Sequence, residues 1–133
     1  MDGDSRVVKI ETIFFLRNSL SDRDVNLLTN MGLKFYRFSL SWPRLLPYGT
    51  LSGGVNPKGV KYYNDLIDAL LKNGITPMVT IYHWDLPSEI QNTIAPGGWK
   101  NDQISDLFAN YAEFCYRTFG DRVKFWITLN GKG

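Results

Sequence analysis

The chain has 133 residues, 44% of them hydrophobic and 21% charged, the balance of an ordinary folded domain. Its 15 Lys and Arg against 13 Asp and Glu leave a net charge of +2, with the basic residues scattered; this excludes a nucleic-acid or anionic-membrane partner. One cysteine, Cys115, cannot close an internal disulfide, and one histidine, His83, cannot build a histidine-rich metal site, so no metal is expected.

The opening Met1-Asp2-Gly3-Asp4 is acidic and Ile13-Phe14-Phe15-Leu16 is too short for a secretory signal. As written the chain reads as cytoplasmic, although a longer parent could carry a signal upstream and be secreted. No run approaches 18 apolar residues, so no membrane span is expected. Residues 1–20 hold Val7, Val8, Ile10 and Ile13 to Leu16, and their periodicity fits a strand and a buried helix equally.

From residue 21 a unit repeats: a helical pattern, a glycine, then an apolar, β-rich run. Ser21 and Asp24 resemble a capping box; Met31-Gly32 then leads into Leu33 to Trp42. Asn56-Pro57 reads as an N-cap followed by proline at the first helical position. Val60, Tyr63, Ile67, Leu70 and Leu71 follow helical spacing, and Asn73-Gly74 leads into Ile75 to Trp84. In the third unit Asn101 or Asp102 caps a helix whose stripe is Ile104, Leu107, Phe108, Tyr111 and Cys115, which makes Cys115 a core residue rather than a nucleophile. Phe119-Gly120 leads on into Val123 to Asn130. Each glycine is expected in the left-handed conformation that ends a helix.

Strands alternating with helices of this length predict βαβ units and a parallel sheet, either a barrel piece or a doubly wound sheet. No Gly-x-Gly-x-x-Gly or Walker loop follows a strand, which removes nucleotide cofactors; no cofactor is expected. In a parallel barrel the working residues stand at the C-terminal strand ends. Those ends read Ser41-Trp42-Pro43-Arg44, Tyr82-His83-Trp84-Asp85-Leu86-Pro87 and Thr128-Leu129-Asn130, and rings beside hydroxyl-binding polar groups suit a sugar.

Each has a plainer reading. His83 is a ligand contact or a satisfied core histidine, and its place beside Trp84 favours contact. Trp42 and Trp84 are packing residues more often than sugar platforms. Arg37, among apolar strand neighbours, needs a partner if buried, expected to be a carboxylate. Asp85, before Leu-Pro, fixes a turn sooner than it transfers protons. Asn130 is a ligand or an ordinary loop asparagine.

Phe35-Tyr36-Arg37-Phe38-Ser39-Leu40-Ser41-Trp42-Pro43-Arg44 resembles the family 1 glycoside hydrolases, the β-glucosidase-like enzymes. So do Asn56-Pro57-Lys58-Gly59 with Tyr62-Tyr63-Asn64, and Pro77 to Pro87. The Gly97-Gly98-Trp99 turn, Tyr111 to Cys115 and Phe119 to Lys124 continue the match in order, from about Asp24 to Asn130. The resemblance implies a (β/α)₈ barrel that hydrolyses O-glycosyl bonds of β-glucosides with retention, with a small-molecule glycoside or oligosaccharide as partner. A retaining enzyme uses two carboxyl groups about 5 Å apart. By the family pattern His83, Trp84 and Asn130 bind substrate and Arg37 supports the nucleophile.

The pattern also shows what these residues lack. The family's acid/base glutamate follows the asparagine in Thr-Leu-Asn-Glu-Pro, and here that position is Gly131. The nucleophile belongs to a much later strand, and the first strand, with its sugar-gripping glutamine, has no counterpart in residues 1–20. Residues 1–133 are therefore expected to form one incomplete barrel domain of about three β/α units, well short of the roughly 250 residues of a closed barrel. Such an open sheet exposes edges and apolar inner faces, which predicts marginal stability, and no hydrolysis is expected of it. The other readings are a non-catalytic carbohydrate- or partner-binding remnant, and an unrelated α/β enzyme using Asp85 or Glu89 as acid. No feature assigns an oligomeric state.

Overall fold

The structure, a computed structural model, describes residues 22–130. Residues 1–20, Ser21 and Gly131 lie outside the described residues. Within them the three repeats form three β/α units. Helix α1 (Asp22–Asn30) leads to strand β1 (Phe35–Ser39); a short α2 (Trp42–Leu45) and a long α3 (Pro57–Lys72) lead to β2 (Thr76–Tyr82). A π turn (Ile90–Ile94), a 3₁₀ turn (Gly98–Lys100) and α4 (Ile104–Phe119) then lead to β3 (Phe125–Leu129). The sheet has the order β1-β2-β3 and both pairings are parallel, as the alternation of helix and strand requires.

Local chemistry sets the element ends. The Asn56 side chain accepts the Lys58 amide at 3.2 Å and Pro57 occupies the first helical turn, so α3 begins where its sequence signal places it. Gly32 and Gly74 take the left-handed conformation, with φ of +75° and +73°. Gly120 does not: its φ is −67°. Glycine is needed there because a Cβ would collide with the Tyr116 carbonyl oxygen, to which the Gly120 amide donates at 2.8 Å. The expected cap of α4 is also displaced. Asn101 accepts the Gln103 amide at 3.0 Å, one turn ahead of a helix that starts at Ile104 without a side-chain cap.

The helices bury one side of the sheet. Val79 and Ile81 of β2 pack with Tyr63 and Ile67 of α3 and with Tyr111, Cys115 and Phe119 of α4. A second cluster, Leu28, Leu33, Tyr36, Leu66, Leu70 and Ile75, fills the space under α1. Each such large apolar side chain contributes about 1.5–3 kcal/mol on leaving water. In α3 the buried stripe includes Leu66, whereas Leu71 is exposed, a one-residue rotation of the expected face. The Tyr111 hydroxyl donates to the Ile81 carbonyl at 2.9 Å and fixes α4 on β2. Arg122 clips α3 to the start of β3 through Asp68, at 2.9 Å, and Asn64.

Trp42 is fully buried, stacked on Tyr111 with ring centroids 4.5 Å apart, and its indole N–H donates to the Gly49 carbonyl. It is a packing residue.

Strand alternation turns Phe35, Arg37 and Ser39 to the opposite side, and the register sets them beside Met78 and Thr80 and, across β2, Phe125 and Ile127. No described helix covers this side. Phe35 and Phe125 touch edge to face with centroids 6.2 Å apart, yet are 42% and 49% exposed. The polar residues of the same side converge toward the C-terminal ends of the strands.

Candidate functional site

At those ends Arg37, Ser39, Thr80, His83 and Asn130 form one hydrogen-bonded group spanning all three strands. Among the described residues Arg37 donates to two neutral acceptors: from Nε to Thr80 Oγ1 at 3.1 Å and from Nη2 to Asn130 Oδ1 at 2.6 Å. The physical reason is register. Thr80 neighbours Arg37 on the same side of β2, and the Asn130 amide N–H extends the β2–β3 ladder by donating to the Tyr82 carbonyl at 3.0 Å, which sets its side chain within reach. The Asn130 Nδ2 atom lies 3.1 Å from His83 Nε2, and His83 Nδ1 lies 3.0 Å from Ser39 Oγ.

The loop after β2 holds His83 in place. Asp85 accepts the His83 main-chain N–H at 3.3 Å, and between them Trp84 has a φ of +65°. The left-handed region costs a non-glycine residue about 1–2 kcal/mol, so the turn persists because its surroundings fix it. Asp85 thus fixes a turn, as expected of it. Burial pushes its carboxyl above the ordinary value, opposed by the His83 amide and by the Ser41 hydroxyl that also bonds to it. Ser41 also ties the end of β1 to α3: its amide donates to the Tyr63 hydroxyl at 2.9 Å, and burial raises that phenol to about 12.

Trp84 is 62% exposed beside His83. Trp99, from the Gly97-Gly98-Trp99 turn, donates from Nε1 to the Tyr82 hydroxyl at 2.9 Å and meets the Tyr82 ring edge to face. Among the described residues, no three His, Cys, Asp or Glu side chains are grouped to hold a metal ion, and no helix is long and apolar enough to cross a membrane.

The structure brings Arg37, His83 and Asn130 together, with Trp84 adjoining. Sequence reasoning missed Ser39 and Thr80. Their signal was present: a hydroxyl two residues after Arg37, and a threonine inside the otherwise apolar Val79 to Tyr82 run.

The chain is similar to known proteins. The chain is 56% identical over 111 residues to raucaffricine-O-β-D-glucosidase of Rauvolfia serpentina, covering 84% of this chain and 20% of that protein. It is 50% identical over 130 residues to the cytosolic β-glucosidase of Homo sapiens, covering 96% of this chain and 27% of that one. The solved structure of the β-glucosidase from Thermotoga maritima in complex with deoxynojirimycin superposes with a TM-score of 0.75 at 56% identity, over 81% of this chain and 23% of that chain. The chain therefore spans about a fifth to a quarter of the length of these relatives. The family model for glycosyl hydrolase family 1 matches residues 18–133, and with these identities it shows that the chain belongs to that family.

Proposed function

We propose that this chain is the part of a retaining β-glucosidase that grips the glycone, with residues 1–133 contributing about three consecutive staves to one glycosidase barrel. The observation that carries the reading is the His83 to Asn130 contact of 3.1 Å, at neighbouring strand ends and beside the exposed Trp84 ring. A sugar ring offers apolar C–H faces to an aromatic side chain and hydroxyls to imidazole and carboxamide groups, and these three residues supply that pairing. Arg37 supports the nucleophile carboxylate in this reading. Its guanidinium is held by Thr80 and Asn130 at the same strand ends, where a third acceptor from another stave comes within reach.

Cleavage with retention uses a nucleophilic carboxylate and an acid/base carboxyl about 5 Å apart. The residue after Asn130 is Gly131, which has no proton to give to a leaving oxygen. General acid catalysis contributes about 10²–10⁴-fold, and the covalent route needs its nucleophile, so the 133-residue polypeptide by itself binds a glycoside without turning it over.

Two assays test this. The 133-residue chain incubated with a chromogenic β-glucoside is expected to give no turnover above a buffer blank. Turnover abolished by His83→Ala would overturn the inactivity. In a full-length family 1 enzyme carrying residues 22–130 of this chain followed by the Glu-Pro of the family pattern, His83→Ala and Asn130→Ala are each expected to lower kcat/KM by about 10–10²-fold, the worth of one lost hydrogen bond at a reacting sugar. Unchanged kcat/KM in both would remove these residues from the glycone site.

A further inference from the structure

We infer that Arg37, Asn130 and Ser39 act as positioning residues that lock His83 in one neutral tautomer, with the proton on Nδ1 and Nε2 bare, so that the strand ends present an acceptor nitrogen and an amide donor side by side. The tautomer follows from the described neighbours of His83; only the sugar as the group that meets it rests on the function proposed above.

A guanidinium has donors and no acceptor. Its contact of 2.6 Å with Asn130 can therefore be made only by the carboxamide oxygen, because the opposite amide orientation would set two donors against each other. Thr80 adds to this by holding Arg37 Nε at 3.1 Å, which fixes the plane of the guanidinium fork. With Oδ1 turned to Arg37, the Asn130 NH₂ group faces His83 Nε2 at 3.1 Å. That group only donates, so Nε2 must accept and carries no hydrogen. The proton of a neutral imidazole then resides on Nδ1, where Ser39 Oγ stands at 3.0 Å to receive it.

The direction of these three bonds is thus set from one end: Arg37 to Asn130, Asn130 to His83, His83 to Ser39. Three strands contribute, Arg37 and Ser39 from β1, His83 from the end of β2 and Asn130 from the end of β3, so the tautomer depends on the register of the whole sheet.

The lock has a consequence for ligand chemistry. A free hydroxyl replacing the direct Asn130 to His83 contact can accept from Nδ2 and donate to Nε2, satisfying both. An ether oxygen or a fluorine can only accept, and leaves the Nε2 lone pair unmatched. The site therefore selects an unsubstituted hydroxyl at this contact, for the same reason that a site built to bond a hydroxyl rejects analogues lacking it.

His83 is the chain's one histidine, so a tag-free sample labelled with ¹⁵N gives a single imidazole spectrum. At a pH of about 9, above the ordinary imidazole range, long-range ¹H–¹⁵N correlations are expected to show a protonated Nδ1 and a pyridine-type Nε2. Asn130→Asp replaces the donor by an acceptor and is expected to put a proton on Nε2. Arg37→Gln frees the carboxamide and is expected to give a mixture of tautomers; should that variant not fold by circular dichroism, Asn130→Asp decides alone. A wild-type chain with Nε2 protonated, or an Asn130→Asp spectrum identical to wild type, overturns the inference. If the wild-type tautomer is as stated but added glucose leaves the His83 resonances unmoved, the lock stands and the sugar-binding reading fails.

Discussion

Asp85 accepts the main-chain N–H of His83 at 3.3 Å, and the left-handed Trp84 sits between them with a φ of +65°. One carboxylate thereby sets both the aim of the histidine ring and the presentation of the tryptophan. Asp85→Ala leaves that amide without its partner and releases the turn. The expected loss is about 1–2 kcal/mol in urea unfolding followed by tryptophan fluorescence, whereas Asp85→Asn keeps the acceptor oxygen and is expected to lose less.

The same carboxyl gives stability a pH dependence. Its folded-state value is raised by burial, so between the unfolded and folded values the native state holds the proton that the unfolded state has released. This contribution is fully present below the ordinary aspartate value of about 3.9 and is lost as pH rises through the raised folded value. Midpoints of urea unfolding measured upward from about pH 4 are expected to fall for the wild type relative to Asp85→Asn, and then to run parallel. A difference that stays constant across this range would count against burial as the governing cause.

Cys115 is fully buried on the inner stripe of α4, and burial raises its thiol to about 12. The thiolate is the reactive form, so native protein is expected to resist a thiol reagent at neutral pH. Labelling should appear only along the denaturant unfolding transition. Fast modification of the folded chain would show that α4 opens locally.

Trp42 carries a larger share of the core than any exposed ring. It is 0% exposed, stacked on Tyr111 and bonded to Gly49. Trp42→Ala is expected to cost about 3–5 kcal/mol, enough to abolish the cooperative transition of a domain this size. Trp42→Phe keeps the stack and gives up the bond to Gly49, and a loss of about 1–2 kcal/mol is expected by calorimetry.

Phe35 and Phe125, 42% and 49% exposed, touch each other on the side of the sheet that no described helix covers. Leu129, 48% exposed, extends the apolar surface of β3. Contiguous apolar surface of this kind promotes association. The isolated 133-residue chain is expected to self-associate in sedimentation velocity. The double variant Phe35→Thr, Phe125→Thr should shift it toward monomer while changing stability by less than about 1 kcal/mol.

By itself the sequence determined the three β/α units and the parallel sheet. Helix stripes such as Ile104, Tyr111 and Cys115, the Asn56-Pro57 start and the glycines after α1 and α3 are local signals, each enforced by a backbone or burial preference within a few residues. The strand ends could be named as the working positions for the same reason, since a parallel connection returns every strand in the same direction. Tertiary structure alone decided how those positions join. Arg37, Thr80 and Asn130 are separated by tens of residues, and only the β1-β2-β3 register brings Thr80 and Asn130 within hydrogen-bonding reach of Arg37. Ser39 acquires its partner in the same way. Trp84's left-handed backbone, too, depends on a turn closed by Asp85 and anchored through Ser41 on another strand end. Hydrogen bonds between distant side chains leave no periodic mark on a sequence, because their geometry exists only once the strands are paired.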